Sequence, residues 1–204
     1  MKSPNAKEAS YLAVAIYGAL QKVGEIEKLH EYLTAKRYST FVEIGTCHGG
    51  MSWYFAHLPD FKKLITVDLP GSDFGGGPTE HDKEVIRNWV STDYDVTLCT
   101  GDSQKQETVD EVKGELPNGV CDCLFIDADH TYEGVKRDFQ LWSPLVRNGG
   151  CVIFHDIASH EKSNPACKVK QFWDELCAER SMSIHCEIRV PTDPDWGGVG
   201  VIEV

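Results

Sequence analysis

Residues 122–156 read DCLFIDADHTYEGVKRDFQLWSPLVRNGGCVIFHD, and this stretch decides the fold. Two short apolar runs, CLFI and CVIF, are typical of buried strands, and a helix-like segment separates them. The first run leads into Asp127, Asp129 and His130, and the second leads into His155 and Asp156. In an open α/β sheet, ligands bind outside the carboxyl ends of the strands. The pattern therefore predicts a single crevice that holds carboxylates and imidazoles, suited to a metal ion or to proton transfer.

The same alternation of strands and helices runs through most of the chain. Apolar runs before residue 156 predict five strands, with the sequences TFVEIG, LITVDL, VTLCTG, CLFIDA and CVIFHD. Helix-like segments lie around 51–58, 80–91, 104–114, 132–143 and 166–180, and two last strands lie near 184–190 and 199–204. We expect an α/β fold, namely a Rossmann-like doubly wound sheet of seven strands. The sheet is mostly parallel, with a C-terminal antiparallel hairpin and helices on both faces.

Composition excludes several classes of partner. The chain has 204 residues and a formal net charge of −12, so its whole surface should not attract nucleic acid. We find no apolar run long enough to span a membrane and no signal-peptide pattern at the N-terminus. The eight cysteines form no zinc-type pattern, which favours reduced thiols. A cytoplasmic protein with a small-molecule partner is expected, and homo-oligomerisation is left open.

A second group of candidate ligands follows the first three strands. Strand one runs into a glycine turn, EIGTCHGG over residues 43–50, where glycine lets the backbone approach a ligand closely. Its spacing differs from the nicotinamide fingerprint G-x-G-x-x-G. Strand two ends in Asp68, a position from which an acid can bind both ribose hydroxyls of an adenosine. Strand three is followed by Asp102 and Ser103, which would lie near an adenine, although both residue types are also common helix caps.

These residues resemble the class I S-adenosylmethionine-dependent methyltransferases. Glu43, Gly45 and Gly49 are similar to that family's first motif, and Asp68 is similar to its ribose-binding acid. The run FIDADHTYEGVKRDF…LVRNGGCVIFHDI resembles the small-molecule O-methyltransferase branch of antibiotic and sugar biosynthesis, which includes a cephalosporin-hydroxylase-like relative. The resemblance covers residues 38–204 and implies a methyltransferase domain there. Residues 1–37 form a separate N-terminal helical segment that has no recognisable motif.

The more distant catechol-type enzymes imply roles for individual residues. Their strand-four Asp binds Mg²⁺, and Asp127 stands at that position, where it would contact both the cofactor and the reaction centre. His155 and Asp156 replace their Asp-Asn pair of metal ligands, and His130 replaces their general-base Lys. An imidazole at 155 is a departure, since Mg²⁺ prefers oxygen and imidazole suits Mn²⁺ or Zn²⁺. Asp129 either supplies the missing oxygen or caps the helix that follows.

The resemblance thus implies O-methylation of a hydroxyl on a sugar, phenol or catechol, with S-adenosylmethionine and a divalent ion, Mg²⁺ or Mn²⁺. The acceptor proton is removed with the help of the ion or by His130 alone. Two alternatives stay open, a nicotinamide-dependent oxidoreductase and a non-catalytic S-adenosylmethionine-binding protein on the same fold. The loops 69–79 and 157–166 are expected to select the acceptor. Trp53 packs either under the cofactor or in the core, and Trp196 either lines the acceptor pocket or packs on the hairpin.

Overall fold

The computed structural model describes residues 3–71, 77–89, 94–179, 184–191 and 195–204. Within them, helices and strands alternate as predicted after an N-terminal pair of helices. The elements are α1 (Ala6–Ala15), α2 (Val23–Lys36), β1 (Thr40–Ile44), α3 (Gly50–Ala56), β2 (Lys63–Asp68), α4 (Glu80–Trp89), β3 (Asp95–Thr100), α5 (Gln106–Glu115), β4 (Cys121–Ile126), α6 (Tyr132–Trp142), β5 (Val146–Phe154), α7 (Val169–Glu179), β6 (Ile184–Ile188) and β7 (Val199–Glu203).

The strands form one seven-stranded sheet in the order β3-β2-β1-β4-β5-β7-β6. Strands β1 to β5 are parallel to one another, while β7 pairs antiparallel with both β5 and β6. The predicted doubly wound sheet with a C-terminal antiparallel hairpin is confirmed. The strand order reverses between β1 and β4, and this switch point is where such sheets open a ligand crevice.

Side chains of alternating strand positions build a core on each face of the sheet. In β1, Val42 and Ile44 point to the face covered by α5, α6 and α7, whereas Phe41 packs on the opposite face with α1, α2 and α3. Strands buried on both faces explain why the parallel strands read as continuous apolar runs. The prediction that Val135, Phe139 and Trp142 form the core face of α6 is confirmed, since all three are buried.

One predicted helix boundary differs from expectation, and part of one predicted loop falls outside the described residues. Helix α7 begins at Val169 rather than 166, because residues 157–168 run as an irregular loop pinned to the sheet. The Lys168 backbone N–H donates to the His130 carbonyl at 2.7 Å. Residues 72–76 of the predicted 69–79 loop lie outside the described part. Among the helices that the structure describes, none combines the length and apolar character needed to cross a bilayer.

Candidate active site

The glycine turn after β1 touches the end of β4. Gly45 has φ +101°, and a Cβ there would lie 2.1 Å from the backbone carbonyl oxygen of Asp127. Gly49 also has a positive φ, +83°, and is the N-cap of α3. Only glycine tolerates both the backbone angle and the close approach at position 45. The turn therefore brings the predicted cofactor motif directly beside the strand-four acid.

Asp68 fixes this turn to the end of β2. Its Oδ2 accepts hydrogen bonds from the backbone N–H groups of Thr46 at 2.8 Å and Cys47 at 2.9 Å. Its Oδ1 accepts from the Leu69 N–H at 2.8 Å. Each carboxylate oxygen can accept more than one hydrogen bond, so the half-buried group keeps capacity for a ligand hydroxyl. Asp68 therefore lies at the end of β2 beside the glycine turn, and its binding of a ribose stays a prediction.

Glu43 lies behind the turn in a fully buried position. One carboxylate oxygen accepts a hydrogen bond from Ser52 of α3, and the other, Oε1, has no hydrogen-bond partner among the described residues. Burial raises the pKa of Glu43 to about 8, against the smaller lowering effect of Ser52. The side chain therefore connects β1 to α3 underneath the turn, and its predicted contact with a cofactor stays a prediction.

The residues after β3 are held by local bonds and by α6. Asp102 Oδ1 accepts from the Gln104 N–H at 2.9 Å, as a capping residue does. Ser103 donates its hydroxyl to Asp138 at 2.7 Å, and burial raises the pKa of Asp138 to about 7. Sequence reasoning missed Asp138 because it lies within the helix α6. Asp102 and Ser103 nevertheless lie at the strand end that the prediction assigned to them.

The polar residues after β4 and β5 meet, as the sequence predicted. Asp127 Oδ1 lies 3.2 Å from His130 Nε2 and 3.4 Å from His155 Nδ1. Asp156 Oδ1 lies 3.3 Å from His155 Nδ1, and its Oδ2 lies 3.5 Å from His130 Nδ1. We call these four residues the acid–histidine cluster. Each histidine lies between the same two carboxylates, so the cluster forms one electrostatic unit.

The charges of the cluster are strongly coupled. Burial alone would lower the pKa of His155, but the facing Asp127, Glu25 and Asp156 outweigh it and raise that pKa well above its usual value. Burial alone would raise the pKa of Asp127, but His155 and His130 outweigh it and hold that pKa below its usual range. Asp127 is therefore a carboxylate at neutral pH.

Asp156 has a backbone conformation that is unusual for its type. Its φ is +62°, in the left-handed region, which costs of the order of 1 kcal/mol or more for a residue other than glycine. The surrounding loop turns its carboxylate back toward Asp127 and His130. Its Oδ1 is buried and makes no hydrogen bond with any described residue, although two imidazole nitrogens lie near it. A buried carboxylate oxygen of this kind is the donor that a cation requires.

Several residues that the sequence did not indicate also reach the cluster. Glu25 of α2 is fully buried, lies 3.4 Å from His155 Nε2, and accepts from the Gly198 N–H at 2.7 Å. His160 Nε2 lies 3.2 Å from Asp156 Oδ1, and Gln21 Nε2 donates to Asp127 Oδ2 at 2.6 Å. Glu25 and Gln21 come from the N-terminal segment, which carries no motif, so no sequence signal pointed to them.

Among the residues that the structure describes, two overlapping sets of ligand atoms fit a metal ion. Asp127, His155 and Asp156 form one set and His130, Asp156 and Cys167 form the other, with the ligand atoms of each set within 4.8 Å of one another. The first set is the one predicted from the sequence, and its donor types together with the unpartnered Asp156 Oδ1 fit a divalent ion. Cys167 was missed because a single cysteine in a loop has no pattern.

Asp129 stays on the helix side of the site. Its Oδ1 accepts from the Thr131 N–H at 2.9 Å, and its Oδ2 accepts from Gln104 Nε2 at 3.0 Å. A Cβ on Gly134 of α6 would lie 2.1 Å from the Asp129 carboxyl carbon, which shows how closely it packs on that helix. The N-cap of α6 is Thr131, whose hydroxyl accepts from the Gly134 N–H at 3.1 Å, and Asp129 supports this helix start through the Thr131 N–H. Of the two roles predicted for Asp129, the one at the helix start fits these contacts better than metal ligation.

Of the two tryptophans considered in the sequence, Trp53 lies in the core and Trp196 borders the crevice. Trp53 is buried and stacks on Tyr17 with ring centroids 4.5 Å apart, so it belongs to the core beneath the N-terminal segment. Trp196 borders a cavity of about 280 Å³ that Glu25 and Gly198 also line. Lys22 approaches Trp196 closely, with its Nζ 2.6 Å from the Trp196 carbonyl oxygen. Trp196 is thus the tryptophan that faces open space beside the cluster.

A family model described as "Methyltransferase domain" matches residues 42–157, which contain the glycine turn and the whole acid–histidine cluster. The chain belongs to this methyltransferase family. The resemblance drawn from the first motif and from the run after β4 is therefore confirmed, and the family favours methyl transfer over nicotinamide chemistry. The match also includes Asp68, Asp102 and Ser103 between these two regions.

Individual proteins are similar to the chain in sequence or in fold. An uncharacterized protein of Acanthamoeba polyphaga mimivirus is 32% identical over 131 residues, 61% of this chain and 54% of that protein. This methyltransferase domain thus spans about half the length of that relative. An O-methyltransferase from Bacillus cereus, solved in complex with SAH, has a TM-score of 0.64 at 17% identity, over 98% of this chain and 90% of the other. The MycE methyltransferase of mycinamycin biosynthesis was solved with Mg, SAH and mycinamycin VI. Its TM-score is 0.64 at 15% identity, over 99% of this chain and 55% of the other.

Proposed function

We propose that this protein transfers a methyl group from S-adenosylmethionine to a hydroxyl of a small molecule, with the help of a divalent ion. The observation that carries the proposal is the meeting of Asp127, His130 and Asp156 directly beside the glycine turn. A cofactor on the turn and an acceptor at the cluster would then be neighbours. Solved structures of the same fold hold SAH, and one holds Mg as well.

The first three strand ends supply the cofactor side. Gly45 and Gly49 combine a positive φ with the lack of a side chain, so that the backbone at these two positions can approach the cofactor. Asp68 Oδ1 accepts one hydrogen bond and has a lone pair left for a ribose hydroxyl, and Asp102 and Ser103 would contact an adenine edge. Glu43 supports the turn from behind. The proposed domain of residues 38–204 contains all of these groups.

The cluster supplies the acceptor side. S-adenosylmethionine provides a methyl group already activated on a sulfonium, and a divalent ion at this site would lower the pKa of the acceptor hydroxyl. Asp127, Asp156 and His155 would hold the ion. His130 accepts the hydroxyl proton as the acceptor oxygen bonds to the methyl carbon, while the electron pair of the breaking C–S bond stays on sulfur. The other product is S-adenosylhomocysteine.

The assignment of His130 as the base rests on access. Its side chain is 36% exposed, whereas the side chain of His155 is only 4% exposed and is enclosed by Glu25, Asp127 and Asp156. A general base must reach the proton that it removes, within hydrogen-bond distance of the substrate. The loop 157–166 begins directly after Asp156, and we propose that it contacts the acceptor.

Ligand binding tests the cofactor. S-adenosylhomocysteine is expected to raise the melting temperature and NADH is not, because a ligand that binds only the folded state stabilises it, by about 2.7 kcal/mol at a hundred times its Kd. Differential scanning fluorimetry with each ligand measures both shifts. A shift with NADH alone would contradict the proposal. Turnover of S-adenosylmethionine with a pool of phenols and sugars then separates an enzyme from a protein that only binds the cofactor.

A further inference from the structure

The segment between α1 and α2 lies directly on the predicted cofactor turn. Tyr17 stacks on Trp53, and a Cβ on Gly50 would lie 2.1 Å from the backbone nitrogen of Ala19. Gly18 has φ +75° and lies against His48, where a Cβ would be 3.1 Å from that side chain. This close backbone packing fixes residues 17–21 over the start of α3 and brings Gln21 to the acid–histidine cluster.

Gln21 meets the cluster with a defined orientation. Its Nε2 lies 2.6 Å from Asp127 Oδ2. Because Asp127 is a carboxylate, its oxygens only accept hydrogen bonds, so the amide must direct its NH₂ group at Asp127. The other amide atom, Oε1, is then a carbonyl oxygen. Gln21 is only 6% exposed, and this oxygen is buried without a hydrogen-bond partner among the described residues.

Two buried acceptor oxygens without partners thus occur around one group of carboxylates. They are Gln21 Oε1, whose amide donates through Nε2 to Asp127, and Asp156 Oδ1, which lies 3.3 Å from His155 Nδ1. A buried acceptor without a donor is destabilising, and a bound cation would remove that penalty. Amide and carboxylate oxygens are ligands that Mg²⁺ and Mn²⁺ accept readily.

We propose that Gln21 supplies an oxygen ligand to the divalent ion, an inference that rests on the ion of the proposed function. The set at the strand ends offers two carboxylates and one imidazole, and Asp129 is committed to Thr131 and Gln104. Gln21 adds a further hard oxygen to the two that these carboxylates provide. The N-terminal segment then contributes a ligand to the metal centre.

Glu25 supports the same arrangement from the first turn of α2. Its Oε2 accepts from the Lys22 N–H at 3.1 Å and lies 3.4 Å from His155 Nε2. A carboxylate behind a ligand histidine fixes which ring nitrogen faces the metal. With Nε2 directed at Glu25, Nδ1 of His155 faces Asp127 and Asp156. Residues 21 and 25 thereby act together, one as a ligand and one as a positioning residue.

Binding of Mn²⁺ to the full chain tests the inference without any acceptor. Free Mn²⁺ is measured by electron paramagnetic resonance during titration of the wild type, Gln21→Leu and Gln21→Glu. Gln21→Leu is expected to weaken Mn²⁺ binding about tenfold. Gln21→Glu is expected to tighten it about threefold or more, because a charged oxygen replaces a neutral one. The matched control is Gln104→Leu, which removes the equivalent bond to Asp129 and should leave the affinity unchanged.

The two substitutions separate ligation from positioning. If both weaken Mn²⁺ binding equally, Gln21 acts only through the hydrogen bond that it donates to Asp127, and ligation is wrong. If neither changes the affinity, Gln21 has no role at the ion. Should Gln21→Glu fail to fold, an unchanged affinity of Gln21→Leu still overturns the inference. A wild type that binds no Mn²⁺ would instead contradict the ion of the proposed function itself.

Discussion

Replacing His130 by Gln is expected to lower kcat by about 10²- to 10⁴-fold, the usual contribution of a positioned general base. Glutamine keeps a hydrogen-bonding side chain between Asp127 and Asp156 but cannot take up a proton at neutral pH. His130 touches neither the glycine turn nor Asp68 in any described contact, so the affinity for S-adenosylhomocysteine should stay the same. Initial rates of S-adenosylhomocysteine formation and a titration with that product measure the two quantities.

A matched control is His81→Gln on the exposed surface of α4, which should leave kcat unchanged. If the kcat of His130→Gln lies within about threefold of that of the wild type, His130 does not remove the proton of the acceptor hydroxyl. The ion alone would then activate the acceptor, as the second mechanism predicted from the sequence requires. A parallel loss of affinity for S-adenosylhomocysteine would instead show that His130 supports the cofactor side.

Replacing Asp127 by Asn is expected to abolish both turnover and the stabilisation by Mn²⁺. The carboxylate interacts with Gln21, His130 and His155, so its removal also leaves a buried imidazole without its main counter-charge. Breaking a buried pair of this kind costs about 3–5 kcal/mol, and the melting temperature without metal should fall accordingly. Thermal unfolding with and without Mn²⁺ measures the loss of stability and the loss of the metal-linked shift together.

Asp129→Asn provides the comparison within the same loop. An Asn side chain at this position still accepts from the Thr131 N–H but no longer accepts from Gln104 Nε2, so Asp129→Asn should cost about 1 kcal/mol, the net value of one hydrogen bond. The Mn²⁺-linked shift should remain. An Asp127→Asn variant that keeps the full Mn²⁺ shift would show that the ion binds elsewhere, for example at His130, Asp156 and Cys167.

The sequence was sufficient for the features that depend on local pattern. Apolar runs followed by polar residues predicted the sheet, and parallel strands necessarily bring their carboxyl ends to one edge. The meeting of Asp127 with His155 and Asp156 follows from that geometry, as does the position of Asp68 near the glycine turn. Helix α6 could also be predicted, because Val135, Phe139 and Trp142 have helical spacing.

The contacts made by side chains across the fold could not be predicted in this way. Gln21 and Asp127 are 106 residues apart, and Glu25 and His155 are 130 apart, with no motif at either N-terminal residue. Their meeting depends on how closely the segment before α2 packs on α3, which hydrophobic periodicity does not specify. The left-handed backbone of Asp156 could not be predicted either, because an aspartate in a sequence does not by itself indicate a positive φ.

A crystal grown with S-adenosylhomocysteine and Mn²⁺ tests the central claim most directly, with anomalous scattering to locate the ion. The account predicts an anomalous peak bounded by Asp127, His155 and Asp156, with the nucleoside on the glycine turn and its ribose hydroxyls at Asp68. The Gln21 amide oxygen should face the same peak. A nucleoside bound away from residues 43–50, or Mn²⁺ bound without Asp127 and Asp156, would contradict it.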